Sequence, residues 1–164
     1  MNRRSILWAM TAFGLASLPG DALAQQKSLK EQLIGTWTFV SAVETSKDGT
    51  KSDRWGPNPK GLIIFDANGR YSFMISRSDI PKFAANNVNQ GTAEENKSVV
   101  QGIIANIGTW SVDEASKTLT TNIEGGDGNS QKRIIISLTA DELKYTNPAS
   151  TTGTVAEAMW KRAK

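Results

Sequence analysis

Histidine and cysteine carry most of the proton shuttling, thiolate chemistry and transition-metal ligation in proteins, and neither occurs in this 164-residue sequence. Serine–histidine triads, cysteine nucleophiles, disulfides and Cys/His metal sites are therefore excluded. Chemistry is left to carboxylates, Tyr, Lys, Arg and hydroxyls. Glu94–Glu95 and Asp113–Glu114 are adjacent pairs, which on a helix or strand do not face one another, so they read as solvated charges and not as a catalytic dyad. The run Gly125-Gly126-Asp127-Gly128-Asn129 has a faint calcium-loop look but lacks the spaced carboxylates and terminal Glu, and reads as a flexible turn. No metal or cofactor is expected. The remaining candidate is Arg77, which ends the apolar run RYSFMISR. There a guanidinium can take an acidic head group while an apolar wall takes the tail; the other reading is an ordinary ion pair with Asp79 or another rim carboxylate.

What would position Arg77 is a series of short strands separated by turn signals. The runs are 36–44, 61–66, 70–77, 104–113, 117–124, 131–138, 142–147 and 154–162. Eight antiparallel strands in series favour an all-β, closed up-and-down barrel, because closure removes unpaired edges; a two-sheet sandwich is the rival. One short helix is expected between the third and fourth strands, where Thr92-Ala93-Glu94-Glu95 reads as a capping box before Val99, Val100 and Ile103. In a meander, alternate connections lie at alternate ends. The long connections, 45–60, 78–103, 125–130 and 148–153, then share one end and the tight turns share the other. One end is expected to be a mouth.

Asp66-Ala67-Asn68-Gly69 is a hairpin signal with Gly at the left-handed position, and it pairs Phe65 with Tyr71. That register puts Ile63, Phe65, Tyr71, Phe73, Ile75 and Arg77 on one face, taken as the inward one because it is the more aromatic. Phe39, Ser41, Asn106, Thr121 and Tyr145 are further inward candidates, the polar ones suited to orienting a ligand in an apolar cup. Trp55, in a loop stiffened by Pro57 and Pro59, and Phe83, after Pro81, either lid the mouth or anchor their loops.

The tetrapeptide IGTW occurs at Ile34–Trp37 and again at Ile107–Trp110, but its flanks differ, so duplication has little support. The two copies fall on strands of opposite direction, and both tryptophans are expected near the closed end with Trp160. Arg162 shares parity with Trp160 and lies beside the first strand. Together these residues read as a plug.

Residues 1–24 read as a secretory signal peptide: Arg3 and Arg4, an apolar stretch, then Ala22-Leu23-Ala24. The stretch is shorter than the ~20 residues of a spanning helix, so no membrane span is expected after cleavage. Arg3-Arg4 loosely resembles a twin-arginine signal, though any basic leader has such a pair. Removing Arg3, Arg4 and Asp21 leaves 17 basic and 15 acidic residues over 25–164, a net charge of +2. With no basic block, nucleic acid is not an expected partner.

The Gly35-Thr36-Trp37 start is the G-x-W of lipocalins. The longer pattern GTWTFVSAVE…WGPNPKGLIIFDANGRYSFMISR…GTAEENK…GTWSVDE, continuing through LTADELKYTNPAS to MWKR, resembles the bacterial exported lipocalin-like domain family. The resemblance covers nearly all of residues 25–164. It implies an eight-stranded calycin-type barrel holding small apolar ligands in the cup, and an arginine packed across the G-x-W tryptophan, a position matched by Arg162. The connection EGGDGNSQKR departs from the pattern, being short where relatives carry a longer loop with aromatics. The leading expectation is a periplasmic or secreted binder of a small apolar or amphipathic ligand, with an acidic head group in view of Arg77. A cofactor-free isomerase, cyclase or dehydratase in the same cavity is the alternative, and a protein-interaction module with a filled core is a third. A cavity of roughly 300 Å3 or more would favour carriage.

Overall fold

The computed structural model describes residues 27–126 and 128–164. The leader expected over 1–24, and Asp127 in the calcium-like run, lie outside the described residues. Strands β1 (Gly35–Thr45), β2 (Lys51–Ser52), β3 (Lys60–Phe65), β4 (Arg70–Ser76), β5 (Ile103–Asp113), β6 (Thr118–Gly126), β7 (Gln131–Leu138), β8 (Glu142–Asn147) and β9 (Val155–Arg162) follow in order. Neighbours pair antiparallel, and β9 pairs back onto β1, so eight strands close into an up-and-down barrel. The two-residue β2 is an addition at the end of β1, where Glu44 and Thr45 meet Ser52 and Lys51.

Two helices accompany the barrel. Helix α2 (Ala93–Gly102) lies between β4 and β5, and its capping box is the expected one: Thr92 Oγ1 accepts from Glu95 N–H while the Glu95 carboxylate accepts from Thr92 N–H. The short α1 (Leu29–Leu33) was not legible as a helix, being a single turn. It uses the same device, Ser28 with Glu31, and it places fully buried Leu33 under the barrel. No helix among the described residues is long and apolar enough to cross a membrane.

The hairpin at Asp66 forms as its chemistry requires. Gly69 has φ +83°, the Asp66 N–H donates to the Arg70 carbonyl while the Arg70 N–H donates to Asp66 Oδ1, and Phe65 faces Tyr71. The alternation then holds through Ile75, so Ile63, Phe65, Tyr71, Phe73 and Ile75 are buried while Leu62, Ile64 and Met74 face out.

The closed end is sealed by tryptophan. The Arg162 guanidinium lies 4.1 Å from the ring centre of Trp37 and donates to the carbonyls of Ile34 and Gln32 at 3.0 and 2.7 Å. Trp37 Nε1 donates to Leu33 O at 2.8 Å, and Trp110 Nε1 to Asp66 O at 3.1 Å. The two IGTW glycines serve different ends. Gly35 sits at φ +124° beneath Arg162, whereas a Cβ on Gly108 would lie 1.9 Å from the Asn122 carbonyl oxygen.

Alternation breaks at three bulges. Across β1–β9, Phe39 faces Trp160 but Ser41 faces Met159, so Val40 is an extra residue. Similar shifts fall between Ile107 and Gly108 and between Ile135 and Ser137. Each inserted residue turns every later side chain of its strand to the other face. On β1 the inward set is therefore Trp37 and Phe39, then Ala42 and Glu44.

Candidate ligand cavity at the open end

Along β9 the inward residues descend as Ala156, Ala158, Trp160 and Arg162, small at the mouth and large at the base. Alanines leave room that tryptophan and arginine fill below, which places a cavity in the upper barrel. Trp160, wholly buried, packs beneath it against Phe39, Phe73 and Tyr145, with ring centres 5.0, 5.7 and 6.3 Å away. The cavity measures about 70 Å3. That is well below the ~300–1,000 Å3 of pockets that enclose drug-sized ligands. The cup does not reach the roughly 300 Å3 that would favour carriage of a larger molecule. A molecule of a few heavy atoms can be enclosed, and a longer one must project from the mouth.

The wall has two characters. Phe73, Ile75, Ile104, Ile123 and Trp55 form an apolar side. Trp55 is 4% exposed and meets Phe39 edge to face at 6.1 Å, with the Arg54 guanidinium 4.8 Å from its ring centre. Asp53 Oδ1 accepts from the N–H groups of Trp55 and Gly56 at 3.0 and 3.1 Å, which fixes the loop that carries the ring.

The polar side centres on Arg133 of β7, only 6% exposed. Its Nη1 donates to Thr121 Oγ1 at 2.7 Å, and the guanidinium carbon lies 5.6 Å from the Phe73 ring centre and 5.4 Å from that of Tyr145. No carboxylate among the described residues forms an ion pair with it. A buried guanidinium without a counter-charge is costly unless something polar answers it, and here it borders the cavity. Nearby, Asn147 Nδ2 donates to Gln131 Oε1 at 2.7 Å, and Tyr71 Oη donates to Asn106 Oδ1 at 2.9 Å. Burial pushes the Tyr145 hydroxyl above its ordinary value against the opposing pull of Arg133, and burial raises Tyr71 likewise. Both phenols are thus protonated donors at neutral pH. Tyr145, which alone of the two borders the cavity, suits holding a ligand better than abstracting a proton.

The expected residues divide accordingly. Trp55, Phe73, Ile75, Asn106 and Tyr145 meet around the cavity. Thr121 faces in but is fully buried, serving Arg133. Ile63, Phe65, Tyr71 and Phe39 also face in, outside the cavity wall; Phe65, for instance, packs on Trp110 at 4.9 Å. Ser41 faces outward, a correction forced by the Val40 bulge. Arg77 is corrected too. Its Nε donates to Asp79 Oδ1 at 2.8 Å and Nη2 to Oδ2, an ion pair half-exposed outside the cavity, because the alternation ends with β4. Phe83 lies along Gly91 in its own loop, where a Cβ on that glycine would come within 2.5 Å of the ring, so it serves as a loop anchor.

Arg133 and Glu44 are what sequence reasoning missed. The signal for Arg133 was present: Gln131, Arg133 and Ile135 share parity, and Lys132 between the first two marks the opposite face as the outward one. Glu44 had no such signal, since its inward position depends on the bulge.

The architecture is that of a closed eight-stranded up-and-down β-barrel, plugged at one end and hollow at the other. The chain belongs to the lipocalin-like domain family, whose model matches residues 34–163. Among solved structures, bovine odorant-binding protein in complex with a selenium-containing odorant is 16% identical, covering 84% of this chain and 74% of that one, with a TM-score of 0.44. A de novo designed fluorescence-activating β-barrel is 13% identical over 84% of this chain and 99% of that one, with a TM-score of 0.45. No curated protein matches the sequence.

Proposed function

We propose that this chain is an exported protein that binds a small organic anion in the open-end cavity, its head group on Arg133 and its hydrocarbon against Phe73, Ile75 and Trp55. The observation that carries this reading is the buried Arg133 guanidinium, which borders the cavity with no carboxylate partner among the described residues. A carboxylate arriving there gains charge-assisted hydrogen bonds in a low-dielectric wall and relieves the uncompensated charge. The head-group role expected of Arg77 passes to Arg133, since Arg77 already has Asp79. Export rests on the leader pattern of residues 1–24.

Trp55 and Trp160 stand beside the cavity, so tryptophan emission gives the test. Titrating the protein with the carboxylate series from propionate to hexanoate, and with benzoate, is expected to produce saturable quenching or enhancement that Arg133→Met abolishes. Equal responses from both proteins, or none from either, would overturn the reading.

A further inference from the structure

The cavity carries a second charge. Glu44 is 7% exposed and borders the same space as Arg133. The hydroxyls of Thr152 and Thr154 donate to its Oε2 at 2.9 and 3.2 Å, while among the described residues no donor reaches Oε1. No lysine or arginine among the described residues forms an ion pair with it. Arg54, the other cation on the wall, is turned onto the Trp55 ring and the Gln101 carbonyl. Two threonine hydroxyls orient a carboxylate without neutralising it.

Glu44 and Arg133 stand apart. Glu44 of β1 faces Ala156 of β9, Ala156 faces Asn147 of β8, and β8 pairs with β7, which carries Arg133. Three strand steps of ~4.8 Å put their backbones about 14 Å apart around the wall, with both side chains directed inward. Asn147 of β8 stands on the arc between them, hydrogen-bonded to Gln131, which lies two residues from Arg133 on β7. The cavity thus has a positive pole, a negative pole and a neutral polar strip joining them, opposite an apolar wall.

We infer that the ligand is a short zwitterion: a carboxylate held at Arg133, an ammonium held at Glu44 Oε1, and a short hydrocarbon between them against the Phe73–Ile75 side. The inference rests on the anion-binding reading and narrows it. A simple carboxylate would answer Arg133 and leave Glu44 uncompensated, whereas a zwitterion answers both charges. The small volume selects short chains, so the ammonium and the carboxylate are separated by no more than a few methylenes.

The test is calorimetric titration with glycine, β-alanine, γ-aminobutyrate and δ-aminovalerate, with butyrate and n-butylamine as singly charged controls. One member of the ω-amino series is expected to bind at least about tenfold tighter than butyrate, as a charge-assisted hydrogen bond implies. Glu44→Gln is expected to erase that advantage, so that the preferred zwitterion binds no tighter than butyrate. Glu44→Asp, which keeps the charge and shortens the arm, is expected to move the preferred ligand one methylene longer. A purely structural carboxylate would cause no such shift. If butyrate binds as tightly as every zwitterion and neither Glu44 variant alters the ranking, the inference fails while the anion reading stands. If no carboxylate binds and Arg133→Met changes nothing, the anion reading itself fails.

Discussion

Arg133 Nη1 donates to Thr121 Oγ1 at 2.7 Å across the β6–β7 boundary, and this bond holds a buried guanidinium beside the rings of Phe73 and Tyr145. The threonine orients the arginine without cancelling its charge. A site of that kind is prepared for an anion, and the molecule without ligand bears the cost of keeping it.

The first prediction concerns that cost. Arg133→Met removes an uncompensated buried charge and replaces it with an apolar side chain of similar length. The ligand-free variant is expected to melt at or above the wild-type temperature, while affinity for anionic ligands falls by about tenfold or more. Differential scanning calorimetry with and without ligand separates the two effects. A large loss of stability without ligand would show that Arg133 is a structural strut.

The Val40 bulge makes a positional prediction that the absence of native cysteine renders clean to measure. Ser41→Cys is expected to react quickly with a water-soluble thiol reagent in the native protein, and Ala42→Cys to be protected, because the bulge turns Ser41 outward and Ala42 inward. The reverse order would restore simple alternation and remove Glu44 from the cavity.

At the closed end, Arg162 combines the Trp37 face with the carbonyls of Gln32, Ile34 and Ala140. Arg162→Ala is expected to cost about 2–3 kcal/mol in urea unfolding, from the lost cation–π contact and charged hydrogen bonds. Arg162→Lys recovers little, since an ammonium cannot reach three divergent carbonyls from one position over the ring.

Acid should loosen the long connection before it melts the barrel. The Glu95 carboxylate accepts from the N–H groups of Ala84 and Thr92, each at 2.7 Å, and these bonds hold it below its ordinary value of 4.5. A depressed carboxylate contributes stability above its unfolded value and loses it as pH falls through the folded one. The amide resonances of Ala84 and Thr92 are therefore expected to titrate with a midpoint below 4.5, with faster hydrogen exchange in α2 below that point and the barrel strands unaffected.

The barrel was legible because its determinants are local. The Asp66–Gly69 turn chemistry sets the β3–β4 register without help from the rest of the chain, and the Thr92–Glu95 capping box starts its helix in the same way. Loop lengths told which end was open. The pairing of Arg162 with Trp37 came from parity along β9 and from family likeness, and the geometry agrees.

The site was half-legible for the opposite reason. Phe73, Ile75, Asn106 and Tyr145 sit on stretches where alternation runs unbroken, so period-two reading found them. Ser41 and Glu44 lie beyond a bulge, where one unpaired residue reverses the face of all that follow, and no feature of TFVSAVE marks Val40 as that residue. Arg77 and Arg133 are the same amino acid at two strand positions. Composition and spacing made an inward arginine expected. Whether it was the one released to Asp79 beyond the end of β4 or the one held by Thr121 inside the barrel depended on contacts between strands distant in sequence, and only closure of the barrel decides those.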